Sequence, residues 1–320
     1  MDLTALLRIL FAAAERKGLR HRVTGAGRLI NASLSGIPGL VLEWFGAHGL
    51  AYDYGFGDPE LLSIAMRDFA REIGWKSVIR VDRRNAGVET RESNAVLWGE
   101  TPESVVIEEG PIKFRVELRH PRNPGLFLDT RELRAWLLSN TAGKNVLNLF
   151  AYTGSLGMAA LAGGACEVVQ VDISRRYLEW GKKNLALNPW PGERCQFKVL
   201  DAERYLDWAA GKEKTFDHVI LDPPVFSRFD NGIFRFESDY FRLVSKGAAR
   251  LAKGGALHAV TNYVGIEAAD FRNRIGSAFE AADRRITSVT RMPLPPDFDE
   301  ASDLETRAEG NALIFRIETA

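Results

Sequence analysis

The chain has 320 residues, 46% hydrophobic and 26% charged, which suits one large globular domain with a smaller one and excludes a disordered or collagen-like polypeptide. Basic and acidic residues balance at 42 each, which argues against a wholly basic nucleic-acid clamp while leaving room for a local basic patch. Two cysteines, Cys166 and Cys195, cannot build a disulfide framework or a thiolate zinc site; no metal site is expected, and a reducing, cytoplasmic setting is.

In chain order, Leu3, Leu6, Leu7, Leu10, Phe11 and Ala14 recur at helical spacing, so the start reads as an amphipathic helix. A signal peptide is the competing reading, but Asp2 and Arg8 are wrong for one. No apolar run reaches the ~20 residues of a membrane span. This helix and the basic residues after it form a first segment, 1–24. Residues 25–119 then read as a small α+β domain. Leu40 to Phe45 and Leu50 to Tyr54 form a hairpin, and Asp58-Pro59 opens a helix that Gly74 ends. Ser77 to Val81 is a strand, and Ser104 to Glu108 with Ile112 to Leu118 is a second hairpin. From residue 120 to 320 helices and strands alternate. Glu132 to Ser139, Ser155 to Leu161 and Ser174 to Leu187 are helical. Asn145 to Phe150, Glu167 to Val171, Gln196 to Leu200, His218 to Leu221 and Ala256 to Val260 are apolar strands of a parallel sheet covered on both faces. The last strand, Ala312 to Ile317, has no helix after it and can lie antiparallel at the edge.

Ligands of such a sheet sit beyond the carboxyl ends of its strands. Four segments fall there. Asn148-Leu-Phe-Ala-Tyr-Thr-Gly154-Ser155 runs from strand to helix, and Gly154 permits close backbone approach to a ligand; a plain tight turn is the other reading. Asp172 can accept ribose hydroxyls or cap the following helix, and Asp201 can accept an adenine amino group or do the same. Asp222-Pro223-Pro224-Val-Phe226-Ser ends a buried strand in a rigid turn whose carbonyls are held toward a ligand.

Taken together, these segments resemble a class I S-adenosylmethionine-dependent methyltransferase. Gly125-Leu-Phe-Leu-Asp-Thr-Arg131, Asn148 to Ser155, Val171-Asp-Ile-Ser174, Tyr177-Leu-Glu-Trp180, Asn184 to Asn188 and Asp222 to Ser227 resemble the large-subunit ribosomal RNA methyltransferases, with the guanine-N7 module nearest and the cytosine-C5 enzymes as relatives. The resemblance spans residues 35–320. It implies an α/β fold, a Rossmann-like seven-stranded sheet with an antiparallel last strand, preceded by the small α+β domain. It also implies S-adenosyl-L-methionine as cofactor. Phe127, Asp129 and Arg131 would flank its methionine end, although Arg131 beside Glu132 also reads as a surface helix residue. Asn148, Phe150, Ala151, Tyr152, Thr153, Gly154 and Ser155 would wrap it. Asp172 would meet the ribose, Asp201 the adenine, and Asp222 with Pro223 the methyl-transfer side, with Ile173, Ser174, Asn188 and Ala202 also binding the cofactor. The superfamily's glycine pattern would put glycine at positions 150, 152 and 154, and only Gly154 is present.

Carbon-5 methylation of cytosine needs a thiolate, which the relatives carry near the end of the fifth strand. Here that strand ends Thr261-Asn262-Tyr263, so the expected acceptor is guanine N7 or an exocyclic amine of ribosomal RNA. Asp222, Pro223, Pro224 and Phe226 are the expected catalytic segment, with Phe226 either stacking on the base or packing under the loop. Arg8, Arg16, Lys17, Arg20, Arg22 and Arg28, then Lys76, Arg80, Arg83, Arg84 and Arg91, can contact phosphates or form a solvated face. Against RNA stands the acidic stretch 297–309. Two alternatives follow: a protein or small-molecule acceptor, or a non-catalytic cofactor-binding subunit.

Overall fold

A computed structural model describes residues 1–19, 25–84, 94–120, 123–229, 232–298 and 312–320. Arg20, Arg22, Glu89, Arg91 and the acidic stretch from 299 onward lie outside the described residues. None of the described helices is long and apolar enough to cross a membrane. The chain divides into two compact units, one made of Met1–Leu128 joined by a segment starting at Pro295, the other of Asp129–Leu294 and the C-terminal strand. The passage from the first to the second therefore falls after Leu128, later than the expected 119.

In the first unit, α1 (Leu3–Arg16) is capped by Asp2, whose carboxylate accepts the Ala5 N–H at 2.8 Å. Its stripe of Leu6, Leu10, Ala13 and Ala14 is buried against α2 (Pro59–Ile73), so the N-terminal helix belongs to this unit's core instead of forming a segment of its own. Asp58 caps α2, Pro59 fills its first turn, and Gly74 ends it at φ 77, a left-handed position that glycine takes without strain. The helices cover a five-stranded sheet in sequential order: β1 (Ala26–Asn31), β2 (Leu40–Phe45), β3 (His48–Asp53), β4 (Ser77–Asp82) and β5 (Asn94–Gly99). Only β3 and β4 pair in parallel, across the α2 connection. The sequence reading lacked β1 and β5, and it placed the second hairpin in the same small domain. That hairpin, β6 (Val105–Glu109) with β7 (Ile112–Val116), is a separate two-stranded sheet.

Much of the basic charge in this unit is spent internally. Lys17 Nζ donates to the carbonyls of Arg28, Leu29 and Asp297, the last at 2.7 Å. Arg28 pairs with Glu43 at 2.7 Å and lies over the Phe298 ring at 4.0 Å, while its backbone N–H donates to the Asp297 carboxylate. Arg80 pairs with the buried Asp53 at 2.7 Å. Arg84 is bonded to Asp82, whose carboxyl it holds down at about 2.

The second unit holds α3 (Arg131–Asn140), β8 (Asn145–Leu149), α4 (Ser155–Ala162), β9 (Glu167–Asp172), α5 (Arg175–Ala186), β10 (Cys195–Val199), α6 (Ala202–Gly211) and β11 (Phe216–Leu221). These are followed by a hairpin of β12 (Phe226–Phe229) and β13 (Gly232–Arg235), then α7 (Phe236–Ala248), β14 (Leu251–Thr261), α8 (Ala268–Ala281), β15 (Ile286–Arg291) and β16 (Leu313–Thr319). The seven-stranded sheet runs β10-β9-β8-β11-β14-β16-β15, with β16 antiparallel to both neighbours and the other pairs parallel. The antiparallel strand is thus last in sequence but inside the sheet, because β15, which the sequence reading lacked, takes the edge. Chain order reverses between β8 and β11, and the crevice beyond their ends is the switch point where such sheets bind ligands. Since Asn148 pairs with Ile220 and Leu149 with Leu221, Phe150 and Asp222 leave the sheet side by side.

If the N-terminal helix is part of the first unit's core, Leu10→Ala should lower its unfolding free energy by about 2–5 kcal/mol, the usual cost of truncating a buried leucine. Urea denaturation followed by circular dichroism measures this, and an unchanged midpoint would place the helix outside the cooperative core.

Candidate active site

Beyond β8 the backbone turns left-handed at Phe150 (φ 57), Tyr152 (φ 52) and Gly154 (φ 79). These are the three positions where the superfamily pattern has glycine. The conformation is therefore retained without two of the glycines, at roughly 1–2 kcal/mol for each side chain forced into it. Local bonds over-determine it. The Ala151 N–H donates to the Val171 carbonyl at 2.9 Å, and the Tyr152 N–H donates to the Asp172 carboxylate at 2.8 Å. The Phe150 ring packs on Phe234 at 5.5 Å, and Tyr152 meets the Tyr177 ring edge-on at 4.5 Å. Asn184 Nδ2 donates to the Thr153 carbonyl at 3.0 Å. Ser155 then opens α4, whose first amides have no intrahelical acceptor and suit an anionic group.

Asp172 closes β9. The capping role weighed for it belongs to Ser174, which accepts the Tyr177 N–H; Asp172 instead accepts N–H bonds from Ser174 and Tyr152, both at 2.8 Å. Burial raises its pKa and these two bonds oppose the rise. Ile173 and Val199, exposed at the ends of β9 and β10, put apolar surface beside it. Asp201 does cap α6, accepting the Arg204 N–H at 3.0 Å, with Ala202 buried behind it. Asn148 and Asn188 are buried and serve the frame: Asn148 donates to Gln170 beneath the loop at 2.7 Å, and Asn188 donates to the Asn184 carbonyl at 2.7 Å.

The other side of the crevice is acidic. Half-buried Asp222 is pushed up to about 7, first by burial and then by the Asp129 carboxylate. Asp129 accepts the Ala312 N–H at 3.1 Å, and Arg131 begins α3 just after it. Beneath them the buried Tyr240 hydroxyl donates to the Val260 carbonyl at 2.9 Å and is itself pushed up by burial and by Asp222. Pro223 is buried, Pro224 and Val225 are exposed, and Phe226 is 48% exposed at the start of β12. Phe127, also exposed, falls in the first unit. Cys166 immediately precedes β9 and Cys195 begins β10, at the ends of these strands opposite the crevice, and burial pushes the Cys195 thiol up to about 12.

The sequence reading missed Gln170, Phe234 and Tyr240, and it had Asn184 as part of a motif without a role. An amide inside the apolar run Val168-Val-Gln-Val171 was the available signal for the first of these.

The strand order, the left-handed turn after β8, the carboxylate at the end of β9 and the acidic turn after β11 define a class I methyltransferase. Known proteins agree. The sequence model of the S-adenosylmethionine-dependent methyltransferase family matches residues 81–316, and the chain belongs to that family. It is 30% identical over 307 residues to YwbD of Bacillus subtilis, provisionally named a ribosomal RNA large subunit methyltransferase, covering 94% of this chain and 76% of that one. It is 31% identical over 306 residues to ribosomal RNA large subunit methyltransferase I of Pseudoalteromonas atlantica, covering 91% and 74%. Among solved structures, a provisionally named methyltransferase complexed with S-adenosylhomocysteine superposes with a TM-score of 0.87 at 26% identity, covering 99% of this chain and 82% of that one.

The protein is an S-adenosylmethionine-dependent methyltransferase. Its residues fit that cofactor. Asp129 and Asp222 would supply negative charge for a sulfonium and an ammonium, and the turn at Gly154 leaves no room for a side chain, since a Cβ there would lie 2.9 Å from Gln170 Nε2.

A cationic ligand favours ionised Asp222. Cofactor affinity should therefore rise with pH through about 7 and level off above it, with proton release visible when calorimetry is repeated in buffers of different ionisation enthalpy. The linked stability effect has the opposite sense. A carboxyl whose folded pKa is raised loses stability as pH climbs from its unfolded value of 3.8 to about 7. Asp222→Asn should thus make the ligand-free chain more stable above pH 7, by roughly 2 kcal/mol, while weakening cofactor binding at least tenfold. Equal stability of the two proteins at pH 8 would contradict the raised pKa.

Proposed function

We propose that this enzyme methylates a nitrogen of a ribosomal RNA base, guanine N7 or an exocyclic amine, by in-line transfer. The observation that carries the nitrogen acceptor is the make-up of the transfer end: a half-buried carboxylate and an exposed phenyl ring, Asp222 and Phe226, with both cysteines at the opposite strand ends. Without a thiolate to add to the ring, carbon-5 methylation of a pyrimidine lacks its nucleophile. A nitrogen lone pair needs only alignment, which a rigid turn supplies. The names of the relatives support RNA as the acceptor's source.

In this reading the loop from Phe150 to Ser155 encloses the cofactor, with Asp172, Ile173 and Ser174 at its ribose. Asp201 and Ala202 stand at the adenine, where a ligand bond to Asp201 adds to its capping bond. Asp129 and Arg131 stand at the methionine end. When bound, the cofactor supplies a methyl group on a cationic sulfur. Asp222 and the carbonyls of the Pro223-Pro224 turn orient the acceptor, accepting from its N–H where it has one, and the Phe226 ring stacks on the base. A protein or small-molecule acceptor is the second reading. One observation favours it: Lys17, Arg28, Arg80 and Arg84 of the first unit are engaged with groups of their own unit and make a poor phosphate-binding surface.

Transfer of tritiated methyl from the cofactor into total RNA and total protein of a cell extract tests the assignment. Label is expected in large-subunit ribosomal RNA, and label confined to protein overturns it. Phe226→Ala should lower kcat/KM toward that RNA by roughly ten- to a hundredfold, the worth of one base–aromatic stack, and leave S-adenosylhomocysteine affinity within twofold.

A further inference from the structure

Gln170 is fully buried at the centre of β9, in a run of valines where the sheet core calls for an aliphatic side chain. Its neighbour across the strand pair is Asn148 of β8, and the two amides are bonded, Asn148 Nδ2 to Gln170 Oε1 at 2.7 Å. The other end of the Gln170 amide points out of the sheet toward the loop: Nε2 donates to the Gly154 carbonyl at 3.1 Å. That carbonyl also accepts the Met158 N–H at 2.8 Å, the first bond of α4. The amide is packed tightly against the loop. A Cβ at Gly154 would lie 2.9 Å from Nε2, and one at Gly157 only 2.1 Å from it, so both glycines are cut to fit this side chain. The Cys195 thiol, bonded to Gln170 from β10, is a third polar group at the same place.

Burying an unpaired amide costs about 1–3 kcal/mol, and a leucine of similar size would fill the same space without that liability. The amide therefore does something aliphatic packing cannot do. It fixes where the Gly154 carbonyl points, and with it the left-handed turn and the first free amides of α4. Two of the three left-handed positions in this loop carry aromatic side chains, so the turn cannot rely on glycine at them.

We propose that Gln170, oriented by Asn148, is a positioning residue for the cofactor: its bond to the Gly154 carbonyl holds the loop in the conformation that binds S-adenosylmethionine, without touching the cofactor itself.

The test uses the full chain and S-adenosylhomocysteine, with affinity measured by calorimetry and folding checked by circular dichroism and thermal unfolding. Gln170→Leu keeps the volume and removes the bond. At a temperature where it is fully folded, it should bind at least fivefold more weakly than wild type, and a smaller loss overturns the proposal. Gln170→Glu gives a second readout that a packing role would not move. Its ionised carboxylate faces the Gly154 carbonyl and repels it, whereas its protonated form can donate to that carbonyl. The ratio of variant to wild-type dissociation constants should therefore be large at pH 9 and shrink toward pH 6. Taking the ratio removes the Asp222 dependence that both proteins share. A ratio independent of pH overturns the proposal, and this arm decides the matter should Gln170→Leu not fold.

Discussion

The turn after β8 depends on one carboxylate bonded to two backbone amides. Asp172 ends β9 and accepts N–H bonds from Tyr152 and Ser174, so a single side chain ties the loop after β8 to the start of the helix after β9. The Tyr152 amide reaches Asp172 with its backbone in the left-handed region, while its ring meets Tyr177 edge-on and the Asn184 amide donates to the neighbouring Thr153 carbonyl. Each aromatic residue in this conformation costs of the order of 1 kcal/mol, the size of one net hydrogen bond, so the loop keeps its shape because several such bonds converge on five residues.

The same accounting explains how a loop can lose the glycines of its superfamily and keep their geometry. Glycine makes a left-handed turn available but does not enforce it, since it is also free elsewhere. Phe150 and Tyr152 are strained in the turn, but they bring rings that pack on Phe234 and Tyr177. Phe234 lies on β13, so the hairpin that carries Phe226 on its other strand rests on the loop after β8, and the two share a wall.

The parts of this architecture that were legible in the sequence are those buried on both sides. The strands β8, β9, β11 and β14 are near-continuous apolar runs because helices cover both of their faces, and their order with the acidic turns between them resembled the right family. The strands that went unread are β1, β5, β12, β13 and β15, all at sheet edges. β15 reads Ile-Thr-Ser-Val-Thr-Arg and is only partly buried, so neither an apolar run nor a strict alternation marks it. In the site, the residue types at the strand ends were readable because chain position places them in the crevice. Their partners were less so. Asp172 and Asp201 look alike in sequence, each an acid between a strand and a helix, yet Asp201 caps its helix while Ser174 takes that task and leaves Asp172 to the loop. The distinction depends on whether a backbone amide from another strand's loop comes within reach, which no local pattern encodes.

Net charge illustrates the same limit from the other side. Zero overall charge left open a basic first unit and an acidic crevice. Three of the basic residues that suggested a phosphate-binding face are turned to groups of their own unit. Lys17 donates to three carbonyls, Arg28 lies between Glu43 and Phe298, and Arg80 faces Asp53. A cation engaged by a buried carboxylate contributes little field outside, so counting lysines and arginines along a segment overstates the charge presented to a polyanion. Beyond β11 the opposite holds. Asp222 and Asp129 are close enough for one to raise the other, so positive charge is favoured beside them.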